Sequence, residues 1–132
     1  MDEIIFIPLI GYAGIWLLGT IAFLAFFRLF HVALDLKHPV AMIREVPAPL
    51  AIATVPLCSF ISFFTTAKVL LPAAAIQAQA VRAGIASVVC TVILDLLITV
   101  AGERIDIRAF PVNLMYAFAW LVIIPALLLA SL

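Results

Sequence analysis

The sequence has little charge. Of its 132 residues only 11% are Asp, Glu, Lys or Arg, where soluble chains carry about 25%. Seven basic residues balance seven acidic ones to a formal net charge of zero. No Lys/Arg run or basic face is present, so the footprint that phosphate binding needs is missing and a nucleic-acid partner is not expected. Cysteine is scarce as well. Cys58 and Cys90 lie inside apolar runs, with no CxxC or Cys/His spacing, which argues against dithiol redox chemistry and leaves two small buried hydrophobes as the plain reading. The chain has no HExxH, no glycine-rich phosphate loop, no Ser/His/Asp set at one depth and no paired carboxylates within a span. A non-enzyme without cofactor or metal is the expectation. Met1-Asp2-Glu3 offers no basic n-region, so no cleavable signal peptide is expected.

What is present is apolar: 68% of the residues are hydrophobic and the mean hydropathy is +1.39. A soluble domain of this size cannot hide that much apolar surface, and disorder needs the opposite composition. Lipid is the solvent that fits. Four uninterrupted runs, each near the ~20 residues that a spanning helix needs, follow one another along the chain. The expected spans are about 4–30, 50–67, 80–101 and 109–131. Because the runs are continuous rather than alternating, a β-barrel is excluded. The fold class is therefore all-α: a polytopic membrane protein built as a four-transmembrane-helix bundle in a single domain.

Arg28, Lys37, Arg44, Arg104 and Arg108 flank the spans on one side; Lys68 and Arg82 lie on the other. Basic residues favour the cytoplasmic side. The bias puts the first and third connections in the cytoplasm and both termini outside, in a plasma (bacterial inner) membrane. The first connection, an amphipathic segment over about 31–47, is not simple coil. The first helix is expected to run past the membrane surface to about Lys37, since Pro39 disfavours helix at the residue before it. A short interfacial segment through Val40 to Ile43 follows. The Ala-rich stretch after Pro72 suits an early start of the third helix, and Gly102 is a natural stop at its end.

Val32-x-Leu34-Asp35-Leu36-x-x-x-Val40-Ala41-x-x-Arg44 reappears sixty residues on, from Val92 to Arg104, with the Asp and the Arg both matched. A duplication would make the fold two parallel helix-hairpin repeats, as in some transporters; chance matching of Leu, Val and Ala is the plainer account.

Asp95 is the most informative residue. It lies roughly 9 Å inside the end of the third span, where an acid costs a few kcal/mol and normally faces the bundle interior. Ala80, Gly84, Ser87, Thr91, Asp95, Thr99 and Gly102 recur at three- and four-residue steps and form one small, hydroxylated face. Ile85, Val89, Ile93, Leu96 and Leu97 make the opposite face. Counting back from a turn near Ile105 puts Asn113 and Tyr116 at the depth of Asp95 as its expected hydrogen-bond partners, with Arg104 or Arg108 in snorkelling reach. Ser87, Thr91, Asp95, Thr99, Asn113 and Tyr116 are thus the candidates for a pathway or ion site. The bland alternative makes Asp95 a tie between helices or subunits.

In the second span Thr54, Cys58, Ser62 and Thr65/Thr66 share a face, behind a Pro56 that is expected to kink the helix. Such hydroxyls line a polar path or, more commonly, mark close packing. Arg28, His31, Asp35 and His38 share a face only if the first helix persists; the set then resembles an incomplete metal or proton-relay cluster, or basic groups meeting lipid headgroups. Tyr12, Trp16 and Trp120 read as interfacial or packing aromatics.

Two functions fit these residues. One is a small oligomeric transporter or channel for protons, ions or a small solute, with Asp95 on its pathway. The other is a non-catalytic structural or assembly subunit of a larger membrane complex. A lipid enzyme using His31 and His38 is a remote third. The partners implied are the lipid bilayer and either further copies of the chain or other membrane subunits.

Overall fold

The computed structural model describes residues 2–34, 37–71 and 77–132. Every regular element among them is helical: α1 (Asp2–Leu29), α2 (Pro39–Ile43), α3 (Ala48–Leu70), α4 (Gln77–Asp95), a π-helical continuation of α4 (Leu96–Gly102), α5 (Val112–Leu121) and α6 (Ile123–Ala130). Four stretches are long and apolar enough to cross a membrane: Ile5–Leu29, Ala48–Leu70, Gln77–Gly102 and Val112–Ala130. These are the spans of a multi-pass membrane protein.

The first helix stops with its span at Leu29 and does not run on toward Lys37. After Leu29 the chain turns through His31, whose φ is 57°, and the Val32 amide donates back to the Phe27 carbonyl at 2.9 Å. That bond closes the helix end in the manner of a left-handed cap. Histidine is among the few side chains enriched in this region, so no glycine was needed to mark the stop. The third span ends in the same way. Gly102 does not take the left-handed position; Arg104 does, with φ 57°, and the Ile105 amide donates to the Thr99 carbonyl at 3.0 Å. The Ala-rich start proposed after Pro72 falls on residues 72–76, outside the described residues.

The second span is one helix through Pro56. The fourth is two, broken at Val122, because Pro125 has no N–H to donate to the Leu121 carbonyl and its ring crowds that group. Between the first two spans α2 starts on Pro39 and has no side-chain cap of its own. Glu103, from the third connection, supplies one: Val40 N–H donates to Oε2 at 3.2 Å and Ala41 N–H to Oε1 at 3.3 Å. A carboxylate at orphan amides of a first turn is favoured by charge and geometry together.

Around the bundle the first span packs on the second and third, and the fourth span packs on the same two. First and fourth are therefore diagonal neighbours. Close approach of the first two spans rests on glycine: a Cβ on Gly11 would strike the Phe63 ring and one on Gly14 would strike Ser62 Oγ. At the end of the bundle carrying the termini, Ile7, Phe63, Ala80, Ala83, Ile123 and Leu127 form a dense core. Toward the other end Phe23, Phe27, Met42 and Met115 pack under α2. The outward face of the third span is left to lipid, with Ile85, Val89 and Ile93 each 52% exposed.

Asp35 and Leu36 of the sixty-residue match lie outside the described residues. Its second copy starts at Val92 inside the third span and ends just beyond it at Arg104, whereas the described part of its first copy begins at Val32, after α1, and includes the five-residue α2.

Candidate functional site

Helical periodicity delivers the polar face of the third span to the interior. Ala80, Gly84, Ser87, Thr91, Asp95 and Thr99 are all buried, and only Gly102 of that series is exposed. Asp95 is 6% exposed. Its carboxylate is held by two donors: the Tyr12 hydroxyl reaches Oδ1 at 2.8 Å and the Trp120 indole N–H reaches Oδ2 at 2.7 Å. The donors come from the diagonally opposed first and fourth spans, so the acid joins three of the four crossings. Hydrogen bonds to an ionised acceptor in a low-dielectric interior are the strong kind.

Asn113 and Tyr116, the expected partners, do not bond Asp95. Asn113 Oδ1 accepts from the neighbouring Leu114 amide at 2.8 Å. Tyr116 pairs with the Thr99 hydroxyl at 2.6 Å and stacks on Trp120 with ring centres 6.1 Å apart. The sequence-level count failed because residues 103–111 do not climb the bundle. Measured from the helix ends, Asp95 sits seven residues inside Gly102 and Trp120 eight inside Val112. Arg108 turns to Asp106, Nε to Oδ1 at 3.3 Å, on the exposed third connection. The Arg108 backbone N–H, also on Oδ1 at 2.9 Å, and then its side chain hold the Asp106 carboxyl below the usual carboxylate range. Tyr12 and Trp120 are thus more than packing aromatics, and pattern alone offers no signal that picks them out.

Beside Asp95 lies a cavity of about 150 Å³. The first span contributes Trp16, Gly19, Thr20, Phe23 and Phe27; α2 contributes Pro39, Val40, Met42 and Ile43; Val55, Cys58, Thr91, Tyr116 and Ala119 come from the other three spans. The walls are apolar and aromatic, as small-molecule pockets generally are, with few polar groups to orient a ligand. Thr91, one turn before Asp95, lines this cavity, and its buried hydroxyl makes no hydrogen bond. Ser87 has an equally unpartnered hydroxyl but lies outside the lining. Buried polar atoms without partners are unusual in folded proteins.

Two hydroxyls of the second span tie it to its neighbours. Ser62 donates to the Gly11 carbonyl at 2.6 Å and Ser59 to the Ala119 carbonyl at 2.8 Å, while Thr65 faces outward. Arg28 and His31 lie at the end of α1, both exposed, and His38 precedes α2; Asp35 lies outside the described residues. With α1 ended at Leu29 these residues share no helix face. Among the described residues no three of His, Cys, Asp or Glu come together as metal ligands would. No family model, curated protein or solved structure matches the chain.

Proposed function

We propose that the protein is a small transporter, working in a plasma membrane as an oligomer, whose pathway passes Asp95. The observation that carries this reading is the coincidence at one residue of a buried carboxylate, two fixed donors and a cavity wall. An acid kept inside an apolar bundle marks a substrate or ion pathway more often than an anchor. Four helices enclose little space, and a cavity shared between copies would extend the route. The basic residues flanking the first and third connections orient the cavity's α2 end to the cytoplasm, with both termini outside.

Purified protein in proteoliposomes with an internal pH-sensitive dye tests the reading. Imposed gradients drive ion or proton flux through the wild type, and Asp95→Asn reduces it to the level of empty vesicles. Flux unchanged by that substitution ends the transport reading.

A second reading, a non-catalytic structural or assembly subunit, draws on the same two donors. With Tyr12 and Trp120 engaged, the carboxylate also serves as a tie that fixes three spans against one another, a role in which Asp95→Asn loosens the bundle and leaves nothing to transport. Absent flux in the wild type together with loss of thermal stability in the variant favours it.

A further inference from the structure

We infer that the cavity beside Asp95 takes a small organic ammonium, a protonated amine bearing an apolar or aromatic group about the size of one ring. The inference deepens the transport reading and rests on it only for the claim that the ligand crosses; binding stands separately.

Size comes first. A volume of about 150 Å³ matches an apolar cavity able to take up a benzene molecule. Wall chemistry comes next. Trp16, Phe23, Phe27 and Tyr116 put aromatic rings around the space, and ring faces attract cations, most strongly where water is excluded. Asp95 is the acid on that wall, and among the described residues no Lys, Arg or His joins it. An ionised carboxylate has about four lone-pair positions; Tyr12 and Trp120 occupy two. That leaves acceptor capacity for a ligand with N–H groups. Thr91 supplies a second acceptor one turn away, its hydroxyl otherwise unpartnered at 1% exposure.

Other ligands fit less well. A divalent metal ion wants about six or more oxygens, and the lining side chains that carry oxygen are Thr20, Thr91, Asp95 and Tyr116, with Tyr116 already paired to Thr99. A neutral apolar molecule would seal the carboxylate away from water without a counter-charge, which is costly. An ammonium on an apolar body answers both demands.

The test is titration of the full chain in lipid nanodiscs with benzylammonium, read by calorimetry and by Trp fluorescence, since Trp16 lines the cavity. Benzyl alcohol is the neutral match in size, and sodium is the inorganic control. Benzylammonium binds saturably, and benzyl alcohol binds roughly tenfold or more weaker, as loss of a charge-assisted bond implies. Asp95→Asn weakens benzylammonium to the level of the alcohol. Should that variant fail to fold, Gly19→Leu serves: Gly19 lines the cavity and a Cβ there meets no atom within 4 Å, so the added side chain should take up cavity space and abolish binding. Equal affinity for alcohol and ammonium, or benzylammonium binding that survives Gly19→Leu, overturns the inference. Benzylammonium that binds but does not enter proteoliposomes leaves the ligand class standing and sinks transport. Flux of protons or sodium without benzylammonium binding does the reverse.

Discussion

Tyr12 and Asp95 meet at 2.8 Å although 83 positions separate them in the chain. The contact joins the first crossing to the third, and Trp120 completes it from the fourth. Tyr12→Phe keeps the ring and removes only the donor. Its stability loss should be about 0.6 kcal/mol, the average for a polar contact between membrane helices, and no more than about 1.7 kcal/mol. A double-mutant cycle with Asp95→Asn in reversible unfolding from bicelles should return a coupling energy of that order; purely additive losses would show that the bond carries no energy of its own.

Glycine at positions 14 and 19 should respond oppositely to alanine. At Gly14 a Cβ runs into Ser62 Oγ, whereas at Gly19 it meets open space. Gly14→Ala should push the first two spans apart at a cost of about 1–3 kcal/mol, as overpacking does. Gly19→Ala should leave the melting temperature unchanged or slightly raised. Comparable melting of the two variants would contradict the close approach.

Glu103 holds the first turn of α2 from another connection. In Glu103→Ala the Val40 and Ala41 amides lose their acceptor, and the loss should resemble removal of a helix cap, about 1 kcal/mol. Hydrogen exchange should accelerate at these two amides and not at the core of α3. Uniform exchange across the protein would point to global loosening instead.

Asp106 should titrate below an ordinary carboxylate, because the Arg108 backbone N–H and then its guanidinium favour the charged form. A depressed folded value contributes stability above the unfolded pKa, and that contribution is lost as pH falls through the folded one. The group is exposed, so the effect is local. Carbon-detected titration of the Asp106 carboxyl by NMR should give a midpoint that rises toward the ordinary value in Arg108→Pro, which removes both donors.

How far the sequence speaks depends on the range of the physics involved. Periodicity is local, so the crossings and the division of the third into a buried hydroxyl face and a lipid face of Ile85, Val89 and Ile93 could be read directly. Which residues of other spans meet that face could not. Three other helices compete for it, and depth along each depends on how much of a connection climbs the bundle. Residues 103–111 climb very little, which shifted the partner from Asn113 and Tyr116 to Trp120. The spans end where expected, near residue 30 and at Gly102, but the stop of the first helix short of Lys37 and the left-handed residue after the third span were missed for a different reason. His31 and Arg104 take the left-handed position that glycine ordinarily signals, so neither stop carries the usual mark.

Immediately after Asp95 the winding slackens: from Leu96 to Gly102 the backbone bonds reach five residues back instead of four, as from the Glu103 amide to the Ile98 carbonyl at 3.0 Å. Such a stretch holds more residues per turn than an ordinary helix, which brings Thr99 to Tyr116 at the mouth of the bundle. Excision of one residue there would restore the ordinary winding and leave what lies downstream near its present bearing, because the wider turn already absorbs that residue. Between the buried acid and the third connection the protein thus stores one residue more than an ordinary helix of the same rotation would hold.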